Sequence, residues 1–180
     1  MKEEKGMENK MFCFRCEQTA GGIGCTGGAG VCGKKADTAQ LQDELTGALI
    51  MLAYQAKEKN VKNQTINHLI LQTLFTTLTN VNFNNETITH LKEEIHQETI
   101  KIGGIIQDYD MKKIWNAEED IRSLKSLILF GIRGVAAYAY HADVLGYQDT
   151  VVTDFLYKAL AALLASKIVP AAKPYPSIMK

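Results

Sequence analysis

The chain has 180 residues, 46% of them hydrophobic, enough for one sizeable core at roughly 100 to 200 residues per domain. Its 20 basic and 20 acidic side chains cancel without a long run of either sign, which excludes the basic footprint of a nucleic-acid binder and leaves small molecules or proteins as partners. No apolar run reaches the roughly 18 residues of a membrane span, and the charged leader 1–10, MKEEKGMENK, lacks the apolar centre of a secretory signal, so a cytoplasmic protein is expected, with no membrane partner.

Residues 11–34 form a cysteine-rich loop whose run from Cys13 to Gly33, CFRCEQTAGGIGCTGGAGVCG, holds every cysteine of the chain: Cys13, Cys16, Cys25 and Cys32, spaced C-x2-C-x8-C-x6-C. In a reducing compartment such a group reads as metal ligands or redox thiols before it reads as disulfides. Four thiolates suit an iron-sulfur cluster or a structural zinc. Zinc loops usually pair two C-x2-C knuckles, and here the second pair is split by six residues, so the spacing favours the cluster. The glycines between Gly21 and Gly33 allow the chain to wrap, and their N–H groups can point at cluster sulfurs and tune a reduction potential. Arg15 and Lys34 flank these cysteines, either to stabilise a thiolate-bound cluster and greet an acidic redox partner, or simply as solvated side chains.

Residues 35–166 read as a bundle of about five helices. Leu41, Leu45, Leu49 and Leu52 recur at helical spacing through TAQLQDELTGALIMLAYQAKEKN, an amphipathic helix. NQTINHLILQTLFTTLTN puts Ile66, Leu69, Ile70, Leu74 and Leu78 on one stripe, with a strand as the competing reading because of its threonines. A third helix has Asn84 or Asn85 as its cap, Ile88, Leu91 and Ile95 on one face, and Gly103-Gly104 as its stop. After the irregular DYDMKKIWN, the longest helix runs from about Ala117 to Leu145 and ends on Gly146. Gly131 and Gly134 lie inside it, and the expectation is that they let a neighbour approach closely. A last helix starts near Asp149 with Val152, Phe155, Leu156, Leu160 and Leu163 inward. The tail 167–180 holds Pro170, Pro174 and Pro176 and cannot continue it.

Other constellations have bland readings. Glu93 and His96 make one Glu-x-x-His step, but a di-iron bundle needs two, so His90 and His96 are expected on a solvated face. His141 is expected to be an ordinary partly buried histidine, and Tyr54, Tyr138 and Tyr140 to pack in the core or at interfaces. Trp115 carries no functional signal. No phosphate loop and no Gly-x-Ser-x-Gly elbow occurs.

The run MFCFRCEQTAGGIGCTGGAGVCGKKADTAQLQDELTGAL resembles the amino terminus of the hybrid-cluster proteins, also called prismane proteins or hydroxylamine reductases, and LILFGIRGVAAYAYHADVLGYQD resembles a later part of that family's first domain. The resemblance implies that Cys13, Cys16, Cys25 and Cys32 bind an iron-sulfur cluster. The eight-residue gap is like the 4Fe-4S members and the six-residue gap like the 2Fe-2S members, with 4Fe-4S favoured. It further implies an electron-transfer role, fed by a ferredoxin-like protein or a flavin reductase, in the reduction of hydroxylamine or nitric oxide. The family's second, hybrid cluster takes His, Glu and Cys ligands from downstream domains. No cysteine follows Cys32, so the chain is expected to be a fragment, a truncated product or a stand-alone relay that turns over no substrate alone and partners the missing hybrid-cluster domains. Two rivals are a zinc-stabilised helical domain and an iron-sulfur redox sensor.

Overall fold

The computed structural model describes residues 11–16 and 23–165; the leader 1–10, residues 17–22 and the proline-containing tail lie outside the described residues. The fold is all-α: α1 (Ala36–Glu58), α2 (Gln64–Thr76), α3 (Asn85–Lys101), α4 (Lys112–Trp115), α5 (Glu119–Val144) and α6 (Thr150–Ala162). The sixth element is the single turn α4, inside the stretch expected to be irregular. Among the described residues there is no strand, and no helix is long and apolar enough to cross a membrane.

Local chemistry sets the helix ends. Asn63, Asn84 and Asp149 accept N–H groups from Ile66, Thr87 and Val151 at 2.8, 3.0 and 2.7 Å, each satisfying a donor with no partner inside its own helix. The cap at Asn63 helps to settle α2 as a helix. Three helices close with the same motif. Gly103 (φ 68°) follows α3 and Gly146 (φ 85°) follows α5, and the next residues donate back, Gly104 to Thr99 O at 2.8 Å and Tyr147 to Ala142 O at 2.9 Å. After α1 Asn60 (φ 53°) takes this place, with Val61 donating to Ala56 O at 2.8 Å; glycine adopts that backbone most readily, and asparagine tolerates it.

The core lies around α1, which contacts α2, α3 and α6, while α2 also packs on α5. Leu45, Leu49, Ile50 and Leu52 of α1 meet Ile66, Ile70 and Leu74, Ile88 and Ile95, Leu129 and Ile132, and Leu156 and Leu160, all buried. Each such side chain contributes roughly 1.5 to 3 kcal/mol on burial. Residues 45–50 of α1 are all buried. The helix is therefore central through its middle turns, beyond the one-sided face that its leucine spacing predicts.

Gly47 explains part of that centrality. A Cβ at Gly47 would stand 2.2 Å from Tyr109 O, and Tyr109 N–H donates to Gly47 O at 3.2 Å, so the segment leading to α4 lies directly on the α1 backbone. The glycines expected to permit close approach do not: a Cβ at Gly131 or Gly134 meets nothing within 4 Å. Both lie on the exposed side of α5 with Leu127 and Tyr138, the latter 83% exposed and not packed as expected. Gly131→Ala and Gly134→Ala should each stabilise the protein by roughly 0.5 to 1 kcal/mol, because Ala restores helix propensity without a clash. A rise in the urea midpoint checks this, and a fall would show that something else occupies the space.

Three further expectations are corrected. Phe155 is exposed, and Tyr157 takes the inward position, its hydroxyl donating to Asn67 Oδ1 at 3.1 Å. His96 is half-buried, its Nε2 2.8 Å from Asp108 Oδ1, because the 105–110 segment crosses beside α3; His90 is exposed as expected. His141 is exposed, its ring edge-on to Phe75 at 5.1 Å.

Candidate metal centre

The cysteine loop is tied together by main-chain bonds. Cys13 N–H donates to Cys25 O at 3.0 Å and Cys25 N–H to Cys13 O at 2.9 Å, an isolated antiparallel bridge. Directly opposed residues of such a pair project their side chains from the same face, so two of the four thiols start as neighbours. Both are buried, in a small apolar cluster with Met11 and Ala39. A second bridge joins Ala29 to Lys35, with Gly30 N–H bonded to Lys34 O and Gly33 N–H to Gly30 O, both at 2.8 Å. Cys32 sits in that turn. An ideal Cβ on Gly30 would lie 3.2 Å from Met11 Cε and 3.5 Å from Cys32 Sγ, so a side chain here would press on the end of Met11 and come into ordinary contact with the sulfur.

Cys16 and Cys32 are half-buried, and all four cysteines are free of disulfides. Among the described residues no three Cys, His, Asp or Glu side chains are gathered closely enough to hold a metal ion. The structure pairs Cys13 with Cys25; gathering all four is a reading carried by their spacing.

Arg15 and Lys34 are not solvated. They are 4% and 2% exposed. Arg15 is paired with Asp43 and donates to Thr46 Oγ1 at 3.3 Å, and Lys34 Nζ donates to Gln42 Oε1 at 2.6 Å. Gln42 is held by donating to Asn82 O at 2.8 Å. Asp43, Thr46 and Gln42 all belong to α1, so the central helix supplies the floor of the loop. Burial lowers the Lys34 pKa, and the Arg15 charge lowers it further, against the opposing pull of Cys13 and Cys32. Burial raises the Cys13 thiol, opposed by Arg15 and Lys34.

A third buried cation, Arg133 of α5, belongs to the same electrostatic neighbourhood. It is depressed to about 9, first by burial and then by Arg15, with Asp43 and Cys13 acting the other way. The loop's other wall is aromatic. Trp115, on α4, has ring centroids 5.8 Å from Phe12 and 6.2 Å from Phe14, the two residues on either side of Cys13. Nothing in the sequence pattern distinguishes Arg133, Asp43 or Trp115, since each is joined to the loop only by tertiary packing.

These residues fit an iron-sulfur cluster. The donors are all thiols, the surroundings are cationic and mostly apolar, and Arg133 Nη2 is a buried donor without a partner among the described residues. An anionic thiolate-bound group would compensate that charge, whereas unpaired burial of a cation is costly.

The Prismane/CO dehydrogenase family model matches residues 11–173. Among curated relatives, a hydroxylamine reductase of Methanocella arvoryzae is 39% identical over 191 residues, covering 88% of this chain and 35% of that protein. Those of Thermoanaerobacter pseudethanolicus and Desulfitobacterium hafniense are 38% and 36% identical, covering 86% and 84% of this chain and 33% of each relative. The chain therefore spans about a third of the length of the relatives it matches. With a family model covering most of its length and relatives of this similarity, the chain belongs to the Prismane/CO dehydrogenase family.

Proposed function

We propose that this chain is an iron-sulfur electron-relay domain of the hydroxylamine reductase type, in which Cys13, Cys16, Cys25 and Cys32 hold one cluster, 4Fe-4S in preference to 2Fe-2S. The carrying observation is four free cysteines in a loop flanked by buried Arg15 and Lys34, in a family whose proteins bind iron-sulfur clusters. When bound, the cluster takes up and releases single electrons. The chain's own residues do the rest. The Cys13–Cys25 bridge presents two ligands together, and Phe12 and Phe14 on either side of Cys13 anchor the loop on Trp115. Arg15 and Lys34, held by Asp43 and Gln42, keep buried positive charge within electrostatic reach of Cys13.

Electrons would arrive from a ferredoxin-like protein or a flavin reductase in the cytoplasm and pass to the downstream hybrid-cluster domains. The reduction of hydroxylamine or nitric oxide belongs to those domains, because a cluster saturated by four thiolates offers no open iron. Anaerobic incubation with iron and sulfide tests the reading. It should yield roughly one cluster of two or four irons per chain, with visible absorbance that bleaches reversibly on reduction and no hydroxylamine-dependent oxidation of reduced viologen. Stoichiometric zinc with no iron uptake would replace the relay with a structural zinc domain.

A further inference from the structure

The three buried cations beside the cysteine loop come from three parts of the chain. Arg15 lies in the loop between two ligands, Lys34 follows Cys32, and Arg133 projects from the middle of α5, 99 residues after Lys34. Each is at most 4% exposed. Among the described residues one carboxylate, Asp43, acts within this group, and Arg15 is paired with it. Lys34 has the neutral Gln42 as its partner. Arg133 donates from Nε to the neutral Thr77 Oγ1 at 3.3 Å, and its Nη2 has no partner among the described residues. Arginine and lysine are almost never fully buried unless paired, so among the described residues positive charge is in surplus around the loop that carries the four cysteines.

We propose that Arg133 is a positioning residue for the cluster, its guanidinium forming with Arg15 and Lys34 a cationic seat that favours the reduced state and so raises the reduction potential. The proposal rests on the iron-sulfur reading above. One-electron reduction by an external low-potential donor adds one negative charge to the cluster and neither makes nor breaks a bond. A nearby buried cation stabilises that added charge more strongly than an exposed one does, because solvent screens it less. Arg133 suits the role better than Arg15, whose charge Asp43 already offsets. Its place on α5 also couples the cluster to the scaffold, since the same helix buries Leu129 and Ile132 in the main core.

The test uses the full chain reconstituted anaerobically, comparing wild type with Arg133→Gln, Arg133→Met and Arg133→Lys. Helical circular dichroism monitors the fold, iron per chain the loading, and a dye-mediated redox titration followed by absorbance and electron paramagnetic resonance the midpoint. At the wild-type midpoint, Gln and Met should raise the oxidised-to-reduced ratio about tenfold, equivalent to a midpoint lower by about 59 mV for one electron, while Lys should recover most of the difference. A Gln or Met variant that loads iron and stays within twofold of the wild-type ratio overturns the proposal, as does a Lys variant displaced as far as Gln. Should the neutral variants fail to fold, Lys34→Gln replaces them, because its charge belongs to the same seat and its loss should move the ratio in the same direction; an unmoved ratio there overturns the proposal equally. Failure of the wild type to take up iron would instead refute the cluster itself, through an observation separate from any midpoint.

Discussion

Gly47→Ala is expected to destabilise the protein by roughly 1 to 3 kcal/mol, although it adds one methyl group and improves helix propensity. In an open helical position that exchange is favourable by about 1 kcal/mol. At Gly47 the new Cβ would meet the Tyr109 carbonyl oxygen at 2.2 Å and its carbonyl carbon at 3.2 Å, and the obstacle is backbone, which cannot rotate away. Overpacking of this kind typically costs 1 to 3 kcal/mol, occasionally more. For a chain of this size each kcal/mol moves the thermal midpoint by roughly 2 to 4 °C. A thermal melt followed by circular dichroism should therefore show a clear fall, opposite in sign to Gly134→Ala. The displaced segment runs into Met111 and α4, whose Trp115 packs on Phe12 and Phe14, so cluster loading should weaken together with stability. An unchanged midpoint would mean that the Tyr109 segment can lift from α1 without loss.

The contrast between Gly47 and Gly134 marks what the sequence can and cannot carry. Helix identity was legible because it is local. The repeat of Ile88, Leu91 and Ile95, the cap at Asn84 and the stop at Gly103 all act within a few residues, and the structure bears them out. Which glycine another segment crosses is a tertiary fact. Gly47 lies among leucines that read as an ordinary helical face, and its partner is Tyr109, sixty-two residues later. Gly131 and Gly134 look the more unusual in sequence, yet face open space. Phe155 and Tyr157 show the same limit on one helix: spacing predicts Phe155 inward, while the hydrogen bond from the Tyr157 hydroxyl to Asn67 lets the larger polar-tipped ring be buried.

The candidate site divides along the same line. The four cysteines stand out in sequence because ligands for one centre often cluster in a short loop, and the resemblance to hydroxylamine reductases rests on the run around them and on the later run LILFGIRGVAAYAYHADVLGYQD. Its charge environment was not legible. Arg15 and Lys34 are as consistent with solvent as with burial when only their neighbours in sequence are known, and the deciding partners Asp43 and Gln42 come from α1. Arg133 is a lone basic residue between two glycines, with nothing local to join it to Cys13.

Cys25→Ser is expected to abolish the cluster and leave the helical bundle standing. A serine hydroxyl is a poor substitute for a thiolate, so iron per chain and visible absorbance should fall to background after reconstitution. The fold should survive for two reasons. The bridge between positions 13 and 25 uses only main-chain N–H and C=O groups, which the substitution keeps, and Cys25 belongs to a small cluster with Met11, Cys13 and Ala39 that is separate from the main core. A buried hydroxyl without a partner costs roughly 1 to 3 kcal/mol, which the main core can bear, since each of its fully buried leucines and isoleucines contributes roughly 1.5 to 3 kcal/mol. Helical circular dichroism should therefore stay close to that of the wild type, with a thermal midpoint lower by several degrees. Global unfolding of the variant would show that the loop organises the helices instead of resting on them. Full retention of the cluster would remove Cys25 from the ligand set and leave its bridge to Cys13 as purely structural.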